Sequence, residues 1–175
     1  NRFRSFSLIA SKNHTKTCWV LKCDVKRFFA SIDHTILKSI LRRGIGDDDT
    51  LWLLGQVIDS FHSEDKYDIG LPLGNLTSQL FANIYMNKFD HFVKHGLRAK
   101  YYVRYADDFV ILSDGRAWLE SLIPKIREFL EGELRLALHP DKVLIKTVAS
   151  GVDFLGWVHF PHYRVLRTAT KRRMF

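Results

Sequence analysis

The sequence predicts an α+β domain, in which strands joined by hairpins carry helices packed on one face. Three observations support this. Two β-rich runs, Tyr101–Tyr105 and Phe109–Leu112, flank the adjacent acids Asp107 and Asp108, and so short a connection favours a hairpin. Apolar residues recur at helical spacing over about 76–95 and again over 118–130. Strand-like runs stand before the helices, at 17–25, and after them, at 143–166.

Taken in order, residues 1–16 mix Arg2, Arg4, Lys12 and Lys16 with Phe3, Phe6, Leu8 and Ile9, and no definite element is expected there. Thr17–Val25 reads as a buried strand ending at Asp24. Asp33 suits the N-cap of a helix whose apolar stripe is Ile36, Leu37, Ile40 and Leu41, stopped by Gly44 and Gly46. Asp47–Asp49 open a second helix, where early acids suit the macrodipole, with Leu51, Leu54, Ile58 and Phe61 on one face. Residues 62–75, punctuated by Gly70, Pro72 and Gly74, read as a loop. A long helix follows from about Leu76 to His95, with Leu80, Phe81 and Ile84 among its core residues and Gly96 ending it. After the hairpin, Trp118–Leu130 forms a helix in which Pro124 implies a late start or a kink. Val143–Val148, Val152–Phe160 and Tyr163–Leu166 read as strands, and Lys171–Arg173 make a basic end.

A chain of 175 residues with 46% hydrophobic and 26% charged residues is enough for one domain with a substantial core. The formal charge of +8 suits a polyanionic partner such as nucleic acid. The apolar runs are short and broken by charge, so no membrane span and no membrane partner are expected, and there is no signal-like start. The chain starts at Asn1 without a methionine, which suggests a piece of a longer protein. Cys18 and Cys23, the only cysteines, are an odd number of residues apart in a strand and should face opposite sides. Neither a bridge nor a zinc site is expected, which fits a reducing, cytoplasmic location.

Asp24 ends one apolar strand, and Asp107 and Asp108 sit at a hairpin turn. If these strands are neighbours, Asp24 and Asp107 converge at one sheet edge. Converging carboxylates can hold two Mg²⁺ ions roughly 4 Å apart and stabilise an in-line displacement at phosphorus, with Mn²⁺ as a substitute. Adjacent residues of a strand point to opposite faces, so Asp107 is taken as the principal ligand and Asp108 as auxiliary. The plainer reading is three solubilising acids at turns and strand ends.

Neighbouring residues turn the balance. Tyr105-Ala106-Asp107-Asp108 resembles the YxDD signature of reverse transcriptases. Asp24–Phe29 resembles motif A of that family, Leu71–Gln79 motif B, Leu138–Lys142 motif D, and Phe154-Leu155-Gly156-Trp157 motif E, the primer grip. The five lie in family order across roughly residues 17–160. The resemblance implies a polymerase palm over 17–170 with some fingers elements, the end of the fingers or a linker at 1–16, and a basic tail at 171–175 leading towards a thumb that this stretch lacks. It implies that Asp24, Asp107 and Asp108 hold the metals together with the Val25 carbonyl. Backbone amides of Lys26, Arg27 and Phe28 would cradle a deoxynucleoside triphosphate, although Phe28 is at least as well explained as core. Phe29 falls at the steric gate against a ribose 2′-hydroxyl. Gly74 would let backbone approach the nucleotide, and Ser78 and Gln79 would reach the nascent pair or cap the helix. Lys142 is either the acid that protonates pyrophosphate or a solvated surface lysine. Lys22 and Arg104 are open between phosphate contacts and solvated charges.

The aliphatic-Gly-x-x-x-Ser-Gln form at Leu73–Gln79 resembles reverse transcriptases of diversity-generating retroelements, which copy a template RNA with errors at adenines. That resemblance implies an RNA template, a DNA primer or product, and a small basic accessory protein. The alternatives are another bacterial retroelement enzyme (a retron, a group II intron protein or a defence-associated enzyme), a related palm enzyme such as a nucleotide cyclase, and a non-catalytic RNA-binding sheet. The last would stack bases on Tyr101, Tyr102 and Tyr105. His91 and His95 are four apart on a helix but lack the glutamate of a zinc helix and read as a polar face.

Overall fold

The computed structural model describes residues 2–61 and 68–174. Positions 62–67 of the expected loop and Phe175 of the expected basic tail lie outside the described residues. Four strands make the main sheet: β1 (Trp19–Asp24), β2 (Tyr101–Tyr105), β3 (Asp108–Ser113) and β4 (Leu144–Thr147). They are antiparallel neighbours in the order β2-β3-β1-β4.

β1 is central, and alternation along it feeds two cores. Leu21 and Cys23 face the larger core, which also holds Phe81, Tyr85, Phe89, Leu119 and Ile126. Val20 faces the smaller one with Val110, Leu112, Phe3 and Phe154. Cover on both faces explains why residues 17–25 read as a nearly continuous apolar run. Cys18 joins the smaller core and Cys23 the larger, both unbridged, as their odd spacing implied. Burial pushes their thiols up to about 11 and about 12, so both stay protonated.

The expected helical layer lies against the larger core. It consists of α2 (His34–Gly44), α3 (Asp48–Asp59), α4 (Leu76–His91) and α5 (Arg116–Leu134). The predicted Asp33 cap forms, its carboxylate accepting from the Ile36 amide at 3.0 Å, and Asp47 caps the second helix by accepting from the Thr50 amide at 2.8 Å. α4 passes into a π-helical turn over Phe92–Gly96, so the helical run does end at Gly96. α5 begins at Arg116, ahead of Trp118, and carries Pro124 inside it, so Pro124 does not delay its start. The Tyr85 hydroxyl donates to the Leu134 carbonyl at 2.7 Å and accepts from the Asp33 amide at 3.4 Å, tying α4 to α5 and to the start of α2.

Three expectations change. Residues 2–10 form a helix, α1 (Arg2–Ala10), on the sheet face opposite the long helices. Phe3 packs on the rings of Phe154 and His159, and Phe6 on Tyr101. A nine-residue basic helix is marginal alone, so the sheet beneath it supplies its stability. The run Val152–Phe160 is not one strand but a hairpin of β5 (Val152–Phe154) and β6 (Trp157–His159). Leu155 and Gly156 both take positive φ, 53° and 78°, as a two-residue hairpin turn of the tightest type requires. Leucine at the first turn position hid that turn. β7 (Arg164–Leu166) completes a second sheet, followed by the basic α6 (Thr168–Met174). Finally, Leu80 is 56% exposed and is no core residue, whereas Phe81 is buried and Ile84 half-buried.

Phe89 sits fully buried between α4, the sheet and α5, its ring against Tyr102, Phe109 and Phe129. Phe89→Ala should lower unfolding free energy by about 3–5 kcal/mol in urea titrations, with the m-value unchanged.

Candidate active site

The acids meet because of strand register. β1 and β3 run antiparallel with Asp24 and Asp108 as direct partners. β2 and β3 pair Tyr105 with Asp108, which leaves Ala106 and Asp107 as the two turn residues. Ala106 takes φ 51°, and the Asp107 carbonyl accepts from the Val25 amide at 3.2 Å. One sheet edge thus carries Asp24 at the end of β1, Asp107 in the turn and Asp108 at the start of β3.

Asp24, Lys22 and Val20 share one face of β1, and Asp108 shares it through the pairing. On that face a cavity of about 380 Å³ is lined by Lys22, Asp24, Asp108, Lys142, Lys146 and Arg167 among others. Asp107 sits in the turn beside it.

Asp24 and Asp108 are each met by a lysine. Lys22 Nζ lies 3.3 Å from Asp108 Oδ2 and donates to the Asp153 carbonyl at 2.7 Å. Lys142 Nζ donates to Asp24 Oδ2 at 3.2 Å. Lys142 reaches Asp24 because its loop is strapped to the end of β1. The Lys26 amide donates to the Ala137 carbonyl at 2.8 Å, Val25 bridges to Leu138, and the His139 amide donates to the Asp24 carbonyl at 2.8 Å.

The charge remains unbalanced. Burial raises the Asp108 carboxyl to about 6, against the pull of Lys22, and Asp24 and Asp107 push the same way as burial. Burial also raises Asp107, assisted by Asp24 and opposed by a backbone hydrogen bond and Lys142. Asp108 Oδ1 is buried with no hydrogen-bond partner among the described residues. A buried carboxylate oxygen without a partner, in a group of three acids, fits a divalent cation that takes hard oxygen donors.

The other sequence-nominated residues divide. Lys26 and Arg27 are exposed, but the Lys26 amide is taken by Ala137, so the expected cradle of amides is reduced to Arg27 and Phe28. Phe28 is buried core at 2% exposure. Phe29 is half-buried, its ring edge-on to Phe28, and its carbonyl accepts from the Leu71 amide at 2.8 Å. That bond ties the gate position to the segment leading to Gly74. Gly74 has φ +90° and open space where a Cβ would stand, so it is there for its backbone angle. Gln79 is exposed, whereas Ser78 is buried; neither caps α4, whose N-cap is Asn75. In the expected primer grip, Phe154 is 1% exposed and belongs to the smaller core. Leu155 and Gly156 form the turn, and Trp157 lies under the Arg164 guanidinium at 4.1 Å.

Arg104 is engaged inside the fold: it grips Asp90 with two nitrogens at 2.8 and 2.6 Å, and the Tyr102 hydroxyl donates to the same carboxylate at 2.7 Å. Tyr102 is buried and Tyr101 packs on Phe6, so the sheet offers no open row of aromatic rings for bases. Sequence reasoning missed the role of Lys22 as partner of Asp108. Its spacing of two from Asp24 was the available signal.

The family model for reverse transcriptase (RNA-dependent DNA polymerase) matches residues 2–159. The chain belongs to the reverse transcriptase family. Protein YkfC of Escherichia coli is 30% identical over 178 residues, covering 81% of this chain and 47% of that protein. The group II intron-encoded protein LtrA of Lactococcus lactis is 24% identical, covering 89% of this chain and 36% of that protein. The chain therefore spans less than half the length of these curated relatives. Among solved structures, apo telomerase from Candida tropicalis superposes with a TM-score of 0.75 at 13% identity, covering 97% of this chain and 35% of that one. That likeness establishes the shared α+β fold.

The raised Asp108 carboxyl has a definite sign. The folded state binds its proton more tightly than the unfolded chain does, so its contribution to stability is complete below about pH 4. It is lost as pH rises to about 6. Urea titrations of the metal-free protein should show this decline across that window, and Asp108→Asn should remove it.

Proposed function

We propose that this reverse transcriptase domain is the catalytic palm of an RNA-directed DNA polymerase, with residues 17–170 forming the palm and some fingers elements. The observation that carries the reading is the set of three acids at one sheet edge, with Asp108 Oδ1 buried and unpaired. Asp24, Asp107, Asp108 and the Val25 carbonyl would hold two Mg²⁺ or Mn²⁺ ions. When bound, these supply Lewis-acid activation of a primer 3′-hydroxyl and charge stabilisation at the α-phosphate and departing pyrophosphate.

The protein's own groups do the rest. Exposed ion pairs contribute about 1 kcal/mol or less, so the Lys142–Asp24 contact, with Lys142 53% exposed, yields readily to a divalent cation. Lys142 is then free within the site to give its proton to pyrophosphate. Phe29 would exclude a 2′-hydroxyl, and the Arg27 and Phe28 amides would meet the triphosphate. Leu155, Gly156 and Trp157 are the exposed or half-exposed part of the primer-holding hairpin. The +8 charge suits an RNA template and DNA primer or product, held mainly through phosphates. No described helix is long and apolar enough to cross a membrane.

Within the family, the Leu73-Gly74 and Ser78-Gln79 form supports a diversity-generating retroelement with a small basic accessory protein. The similarity to LtrA supports a group II intron-type retroelement as the second reading. Error spectra on an RNA template separate the two: misincorporation concentrated at template adenines supports the first, and an even, low error rate the second.

In the full-length parent protein, Asp107→Asn should cut primer extension on RNA by at least about a hundredfold, equivalent to about 2.7 kcal/mol in the barrier. Undiminished synthesis would remove Asp107 from the site. Phe29→Ala should admit ribonucleotides while deoxynucleotide incorporation persists. A discrimination ratio equal to that of the parent would end the gate assignment.

A further inference from the structure

A second group of donors lies away from the polymerase acids, where three pieces of chain meet. His34 opens α2, Asp59 is the last residue of α3, and Asp68 precedes Ile69 and Gly70. One donor atom from each lies within 4.8 Å of the others.

The histidine makes this more than an acidic cluster. Its side chain is 2% exposed. Nε2 lies 2.6 Å from the Gly70 carbonyl oxygen, which can only accept, so Nε2 carries the hydrogen. Nδ1 lies 3.8 Å from Asp59 Oδ1 and has no hydrogen-bond partner among the described residues. A neutral ring donating from Nε2 to a backbone carbonyl presents a lone pair on Nδ1. Metal-bound histidines are typically held this way, the second nitrogen fixed by a carbonyl.

The backbone is fixed as well. The His34 amide donates to the Asp68 carbonyl at 3.0 Å, Asp33 bridges to Ile69, and the Gly70 amide donates to the Ile32 carbonyl at 2.8 Å. Asp68 itself takes φ 61°. Asp59 stands at the C-terminus of α3, where the helix dipole favours a cation. One cation is already there: Lys38 Nζ contacts both Asp59 oxygens at 2.6 Å.

We propose that His34 Nδ1, Asp59 and Asp68 form a site for a transition-metal dication of the zinc type, distinct from the polymerase metals. One nitrogen and two carboxylates suit Zn²⁺ or Co²⁺, whereas Mg²⁺ prefers oxygen donors alone. Bonds of about 2.0–2.2 Å require the donors to close to about 3.3 Å apart. Asp68 is exposed and free to swing inward, and Lys38 must release one Asp59 oxygen. The bound ion would staple residues 68–70 to α2 and α3. It would thereby steady the start of the Leu71–Gln79 segment, whose Leu71 amide holds the Phe29 carbonyl.

The test is Co²⁺ titration of tag-free protein in excess Mg²⁺, which saturates an all-oxygen site and competes poorly for an imidazole. A single equivalent of Co²⁺ should bind and give a visible d–d absorption band. Asp68→Asn, a change at an exposed side chain, should weaken that binding at least about tenfold. Lys38→Met should tighten it by removing the competing ammonium. If His34 and Asp59 are only an ion pair, no saturable Co²⁺ band appears, and the proposal fails. It fails equally if the band appears but Asp68→Asn leaves the affinity unchanged.

Discussion

β1 hydrogen-bonds to β3 along one edge and to β4 along the other, and the register of those two ladders decides where Lys22, Asp24 and Asp108 of the candidate site stand. The side-chain period of a strand is two, so a slip of one residue would send Lys22 and Asp24 into the larger core and Leu21 and Cys23 towards the cavity. Burial of Leu21 and Cys23 at 0% exposure therefore locks the acids in place. The packing of α4 and α5 against one sheet face and the geometry of Asp24, Asp107 and Asp108 at its edge depend on one register.

The same edge carries an electrostatic tension. Three carboxylates are brought together, burial disfavours the charged forms of Asp107 and Asp108, and the lysines at hand answer only part of it. Lys22 is also committed to the Asp153 carbonyl, which ties the β5–β6 hairpin to the acid-bearing face. Arg167 reaches Asp153 from the other side at 3.0 Å. The hairpin that resembles a primer grip is thus anchored to the metal-type site through a backbone carbonyl and two cations. A site of this kind is arranged to gain from a divalent cation, because the ion satisfies what the lysines leave unsatisfied.

Cover on both sheet faces also shapes what the domain can bind. One face lies under α4 and α5, and the other is covered by α1 and the second sheet except at the cavity beside Lys22 and Asp24. The edge and the loops around it expose Arg27, Gln79, Tyr105 and Leu155. A fold that covers its sheet and sets its acids half-buried at an edge suits chemistry there better than stacking on a surface.

By itself, the sequence determined the α+β class, the Asp33 helix cap, the hairpin around Asp107 and Asp108, and the meeting of Asp24, Asp107 and Asp108 at one sheet edge. These are local or periodic signals: alternation, 3.6-residue spacing, cap chemistry and ordered motifs. Only the tertiary structure decided the rest. Helix α1 depends on burial of Phe3 and Phe6 against a sheet assembled from distant residues. The β5–β6 turn depends on Leu155 accepting a positive φ, which propensity argues against. Phe154 and Ser78, nominated as contacts, went inward because a motif names a position but not the side it faces. Lys22 became the partner of Asp108, and His34 the neighbour of Asp59 and Asp68, because strand pairing and helix packing set distances between residues far apart in the chain. No pattern along the sequence encodes those distances.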